Sequence, residues 1–402
     1  MAFQGGRNLY VNYKPQTTAG TLPSASGAMR FRVNEGSQGL NLAKATINSG
    51  ENRGDGMSTR GRHGSHNVQG SFATDMSVGS HDSIYEALLR GTWTAAATFT
   101  QTDFTSVAVA SSVITIGSGS LLVASRPRVG DIITFSAGIH ADDLNKRLRI
   151  TAIGSATTMT VERIDGTAMT DSSTNTTFSF VVARKLIQGT TRRAFAVEEH
   201  EIDIDASEVY DFCRFSRMDI ALSPDNMGVA TFGLVGRTGT TYTAGNAPYF
   251  TSPTTYSTLG LASVEAKIKL GSATLTDITD FQLSLDLRAA GQPVVGSQYT
   301  PDIFENNAQI TARITGLRED FTRFTDFLNE TRLELHLFFG ENEAAPQDFI
   351  AMCVTNLTLA NPSKSPLGQD GPRTQSYDLV IGADDTGGAY DQSMIKIMTS
   401  AA

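Results

Sequence analysis

The stretch at residues 62–93, RHGSHNVQGSFATDMSVGSHDSIYEALLRGTW, is the densest source of candidate chemistry in the chain. His63 and His66 have the HxxH spacing of a metal pair, His81 follows, and Asp75 and Asp82 offer carboxylates. A zinc site needs three or four ligands brought to one point, and these five fall on a loop, a strand start and a helix cap. A similar run at residues 307–331 has no histidine. The group therefore reads as polar loop and cap residues, with no metal site. The acidic run VEEHEIDIDASE (Val197–Glu208) offers paired carboxylates for acid–base work. Alternation places Glu199, Glu201, Asp203 and Asp205 on one face, which reads as a solvated or electrostatic surface and not a catalytic one. Arg53–Asp55 spells RGD inside a Gly-rich loop, a tripeptide that recurs by chance. TGTTYTAG lacks the lysine of a phosphate loop, and no GxSxG elbow occurs. Cys213 and Cys353, in DFCRF and AMCVT, have no CxxC spacing and read as buried free thiols. The sequons at Asn175, Asn329 and Asn356 mean little without a secretory route. The residues call for no catalytic site, no cofactor and no metal.

The elements that hold these residues come in two similar series. The first opens with the alternating run MRFRVNE (Met29–Glu35), then a polar stretch, Ile47–Gly64. A strand follows over Asn67–Met76, with Val68, Gly70, Phe72, Thr74 and Met76 on one face. Ser80 then caps a helix over Asp82–Arg90, which buries Ile84, Ala87 and Leu88 and stops at Gly91. The second series runs DFQLSLDLR (Asp280–Arg288), a loop, a strand over Asn307–Gly316, and a helix over Glu319–Thr331 with Phe321, Phe324 and Leu328 on its apolar stripe. After each helix comes a strand, a Pro-containing turn and a strand, Arg214–Gly236 and Cys353–Gly382. This predicts one fold duplicated in tandem. Between Trp93 and about Arg184, short β runs with turns every ~8–12 residues predict an inserted β module. Thr241–Gly260 reads as a connector, and VEAKIKLGSATLTD as a hairpin turning at Leu270–Gly271. The expected organisation is 1–95 for the first part of lobe 1, 96–184 for the insert, 185–245 for the rest of lobe 1, and 246–402 for lobe 2.

Composition narrows the function. The chain has 402 residues, 37 glycines, 18% charged residues and a formal net charge of −9. That charge argues against gripping nucleic acid by its phosphates, while leaving room for a wall that lets nucleic acid pass. The N-terminus lacks an apolar h-region, and no window approaches the ~18 apolar residues of a membrane helix. Synthesis in a cytoplasm and no membrane insertion are therefore expected.

The loop RGDGMSTRGRHGSHNVQG, followed by SFATDMSVGSHDSIYEALLRGTW, resembles the tail tube (major tail) proteins of long, non-contractile-tailed bacteriophages. The insert that follows GTW, the return strand FAVEEHEI and the later LSLDLRAAGQPVVGSQ and ARITGLREDF extend the resemblance over nearly the whole chain. It implies a mainly β, tandem duplicated β-sandwich tail-tube fold, each copy with one short helix, plus a small inserted β-barrel or sandwich on the outer wall. It implies a structural virion protein, not an enzyme, made in the bacterial host cytoplasm and ending in the virion tail. Rings would stack into a tube through which the genome passes without specific binding. Duplication implies homotrimeric rings with pseudo-sixfold symmetry. Partners would be further copies, the tape measure, the tail terminator and the distal tail protein, and the insert would be inert decoration or, in the alternative, a weak host-surface contact. Arg53, Asp55, Arg60, Arg62, His63, Glu199, Glu201 and Asp203 are the expected inter-ring contacts, with Arg53, Arg60 and Arg62 meeting acidic residues of the Val197–Glu208 run on the next ring. The rival readings are a distal tail or baseplate hub, a capsid or surface-layer component, and a carbohydrate-binding or degrading β protein. The last is disfavoured by the single Trp93 at a helix end and the absence of a paired-carboxylate site.

Overall fold

Where apolar and polar residues alternate, the chain forms strands, and where alternation stops it turns. The structure, a computed structural model, describes residues 3–123, 125–243, 245–341, 348–368 and 370–400. It is mainly β. The first unit comprises β1 (Leu9–Gln16), β2 (Met29–Phe31), β3 (Gly39–Ile47), β4 (Arg62–Asp75) and helix α1 (Asp82–Leu89). Eight strands, β5 to β12, lie between Ala97 and Val182. The chain returns in β13 (Arg184–Ile187), β14 (Ala194–Glu201), β15 (Ala206–Leu222), β16 (Val229–Gly236) and β17 (Thr238–Thr243). The second unit comprises β18 (Ala266–Leu270), β19 (Ala273–Leu275), β20 (Ile278–Asp286), β21 (Ala290–Gly291), β22 (Ile303–Phe304) and β23 (Gln309–Leu317). It continues through α2 (Thr322–Leu328), β24 (Leu333–Gly340), β25 (Phe349–Lys364), β26 (Thr374–Ile381) and β27 (Lys396–Thr399).

Strand pairing repeats. The first unit pairs in the order β3, β4, β16, β15, β14, β1, β2. The second pairs β20, β23, β26, β25, β24, β18, β19 in the same order and all antiparallel. In each unit one long strand serves both layers of the sandwich. The first half of β15 pairs with β14 and β17, and the second half with β16. β25 does the same with β24 and β27, then β26. Phe212, at φ 51°, marks the point where β15 changes partners, the local kink a bulge supplies. Apolar residues of both units, among them Phe72, Phe195, Phe232, Leu283 and Leu379, form one continuous core between the layers.

Several sequence expectations need correction. The alternating run MRFRVNE contributes only the short β2, and β4 pairs with β3, a stretch in which the sequence pattern predicts no element. Ile47 and Arg62–Gly64, expected in a loop, belong to strands, so the connecting loop is residues 48–61. The α1 cap is His81, with no side-chain cap bond, because the Ser80 hydroxyl is turned to Ser77 and to His81 Nδ1. Arg90 closes α1 in the left-handed region, and Gly91 serves a second purpose. A Cβ there would lie 2.1 Å from the Ile187 carbonyl oxygen, so only glycine lets β13 pass. The stripe expected to bury α2 does not: Phe321 is 64% and Leu328 63% exposed, and the helix is shorter than Glu319–Thr331.

The eight strands of the insert form their own sheet over a separate core that includes Phe99, Phe135, Ile150 and Phe180. Trp93 sits at its root: the indole N–H donates to the Asp82 carbonyl at 3.1 Å, and Arg184 lies over the ring at 4.3 Å. The insert does not hang free of the host. Ile132 and Ile164 pack with Phe338, Phe349, Ala351 and Met398 of the second unit. Below them Asp131, wholly buried, binds Lys396 Nζ at 2.6 Å and Lys185 Nζ at 3.0 Å, and Asp391 reaches both lysines at 3.0 and 2.9 Å.

Candidate functional site

One surface of the molecule is made by the two units together. The second half of β15 pairs antiparallel with β20, Arg217 opposite Asp286 through Leu222 opposite Phe281. This joins one layer of each unit into a continuous eight-stranded sheet in the order β3, β4, β16, β15, β20, β23, β26, β25. The period of two sorts its side chains cleanly. Phe72, Phe232, Met218, Leu283, Ile314 and Leu379 face the core. The other face carries small or polar groups, including Ser71, Thr231, Gln282, Ser284, Thr311 and Ser376. Two strand arginines on this face are neutralised in place, Arg217 by Asp219 at 2.7 Å and Arg313 by Asp378 at 3.7 Å, and Arg288, just past β20, donates to Gln309 Oε1 at 2.6 Å.

Both ends of this sheet are open. Among the described residues β3 pairs as a strand with β4 alone, with only Leu40 at its start engaged by the Glu199 carboxylate and the Tyr210 hydroxyl, and the last residues of β25, Thr358–Lys364, pair with β26 alone. Rows of unpaired N–H and C=O groups are templates for strand addition. At the junction between β15 and β20 an edge of the same kind is closed by the edge strand of the following unit.

The histidines of the opening motif are not brought together. His81 is fully buried against Phe31, Tyr85 and Phe232, with hydrogen bonds to Ser80 and Thr74. Burial, then the nearby Arg32, pushes its pKa down to about 3, so it is neutral. His66 bonds to Thr238 at 2.9 Å, and burial, then Lys44 and His63, lowers its pKa. His63 lies exposed on β4. Among the described residues no group of three or more His, Cys, Asp or Glu is placed to hold a metal.

The acidic run is also dispersed. Glu199 is not on a solvated face; its carboxylate accepts the Leu40 N–H at 2.7 Å, at the root of β3. Burial, opposed by that bond and helped by Glu208 and Glu201, pushes its pKa up to about 7. Asp203 lies beyond β14 in a turn and accepts from Gly5 N–H at 2.7 Å and Asn8 Nδ2 at 2.8 Å, holding the N-terminal segment. Glu201 stands opposite Leu9 in the ladder. Arg53 pairs with Asp55 in its own loop at 2.5 Å, while Arg60 and Arg62 are exposed with no ion pair among the described residues. Glu198 is a residue that sequence reasoning missed. It is wholly buried and accepts from the N–H groups of Tyr249 and Phe250 at 2.6 and 3.1 Å, pinning the connector between the units. Its place in an alternating acidic run gave no sign of this.

The family model for phage tail tube protein matches residues 6–380. No curated protein matches the chain.

Proposed function

Because the chain belongs to the phage tail tube protein family, a structural and not an enzymatic one, we propose that it polymerises as stacked closed rings that form the tube for genome passage. The observation that carries this reading is the eight-stranded sheet with two open edges. A head-to-tail contact in which β25 of one chain receives β3 of the next closes into a ring, and closure removes both edges. Since each chain supplies two units, three chains make a pseudo-sixfold ring of 24 strands by this rule.

The sheet's outer face then lines the bore. Short polar side chains and arginines already paired to carboxylates offer phosphates little to hold, so DNA slides where free lysines and arginines would bind it by counterion release. The insert packs on the opposite layer, against β24, β25 and β27, and in this reading it stands on the outer wall. Such decoration repeated along a tube suits weak multivalent contact with a cell surface. The tape measure, tail terminator and distal tail protein are the further partners of this reading, and the virion tail is its location. Electron microscopy of the concentrated protein tests it. Hollow stacked rings are expected, whereas solitary rings that never stack would indicate a hub.

A further inference from the structure

We infer that the loop at residues 48–61 docks, within one ring, on the second unit of the adjacent chain. This rests on the ring reading above and deepens it by naming the surface and its occupant, a second copy of this chain. The template lies inside the chain. Where β20 leaves β15, residues 290–306 cross back over the first unit. Asp302 and Glu305 each hold Arg214 at 3.0 Å, and Asp302 also reaches Arg192 at 3.0 Å. Arg237 donates to the Thr300 carbonyl at 3.0 Å, and Ile303 is wholly buried.

The loop at 48–61 occupies the same place in the first unit, because it joins β3 to β4 as residues 287–308 join β20 to β23. Yet residues 41–60 are exposed without a break, Leu42, Ile47 and Met57 among them. The pairing rule supplies what is missing. If β3 lies beside β25 of the next chain as β20 lies beside β15, the loop that follows β3 must cross that chain's second unit. The counterparts of Arg192, Arg214 and Arg237 there fall before β24, in mid-β25 and after β26. Those segments present Glu330, Asn356 and Asp385, all outside the core and the two carboxylates exposed, while the guanidinium beside them, Arg332, is already taken by Asp384 at 2.8 Å and Thr386 at 2.7 Å. The signs are inverted on both sides. The first unit offers arginines to an acidic loop, and the second offers the carboxylates of Glu330 and Asp385 to a loop that ends in Arg60 and Arg62. The contact is thus between neighbours in one ring and not between rings. It also fits Glu199 and Asp203 already being engaged within the chain.

The test uses the full chain carrying Arg60→Glu and Arg62→Glu, with ring yield read by native mass spectrometry and stacking by electron microscopy. Ring yield should fall at least tenfold at a concentration where wild type assembles, with the thermal midpoint of the monomer unchanged. Adding Glu330→Lys and Asp385→Lys should restore rings. Independently, Arg60→Cys with Glu330→Cys should be joined between chains by a bismaleimide in assembled rings, the native Cys213 and Cys353 being buried. Normal ring yield with loss of stacking alone would overturn the inference, as would reversed rings that equal wild type or intact rings that do not crosslink. Wild type that forms no ring under any condition removes the ring reading and this inference with it.

Discussion

Asp131→Asn probes how firmly the insert is bound to the second unit. The native carboxylate is wholly buried and faces two ammonium groups, Lys396 at 2.6 Å and Lys185 at 3.0 Å. Removing its charge leaves both lysines to Asp391 alone. Leaving a buried charge uncompensated costs about 3–5 kcal/mol. For a unit of this size that corresponds to a fall in thermal midpoint of roughly 6–20 °C, at about 2–4 °C per kcal/mol. Combining Asp131→Asn with Lys396→Met leaves one pair, Lys185 with Asp391, and should recover most of the loss, because the two sites share one network. The assay is calorimetric and denaturant unfolding of both variants beside wild type at pH 7. A single variant within about 1 kcal/mol of wild type, or a double variant no better than the single, would refute a charge-compensated anchor. The network also has a pH signature. Burial would raise the Asp391 pKa, but Lys396 and Lys185 outweigh it and hold it low. Its contribution is present above the ordinary aspartate value near 4 and is lost as pH falls below it.

Two further pH effects oppose one another and are each read as a difference between wild type and its own variant. His81 is held neutral down to about pH 3, whereas unfolded histidine protonates near 6.5, so stability is full above that value and falls with acid. The loss is about 1.4 kcal/mol per pH unit, and His81→Phe should abolish it in denaturant unfolding at pH 7 and pH 4.5. Glu199 behaves in the reverse sense: its folded pKa of about 7 means that stability is lost as pH rises from about 4.5 to 7. Glu199→Gln keeps an acceptor for the Leu40 N–H and should gain up to about 3 kcal/mol at pH 8 with none at pH 4.5. Equal stability of variant and wild type at pH 8 would contradict the assigned burial.

The long strands and the first helix were legible because their apolar period is strong and local. The runs at Arg214–Gly236 and Cys353–Gly382 became β15–β16 and β25–β26, and the helix expected over Asp82–Arg90 ends one residue earlier. β3 was not legible, since Asn41–Ile47 is exposed on both faces and carries no burial pattern. α2 misled for the opposite reason. Its stripe of Phe321, Phe324 and Leu328 looks like a core face, yet two of the three are exposed. The open edges of the sheet could not be read from residues at all, because an edge is defined by what fails to pair with it. The charged residues divided by context. Asp131 and Glu198 give no local sign of burial, and only tertiary partners from more than fifty positions away reveal their work.

In the proposed ring β25 of one chain receives β3 of the next, and three chains close the sheet. Native mass spectrometry of isolated rings, paired with end-on averages, measures this directly. Three copies of the 43.0 kDa chain, about 129 kDa, with threefold averages close to sixfold are predicted. A ring of six chains, about 258 kDa, would contradict closure by duplicated units.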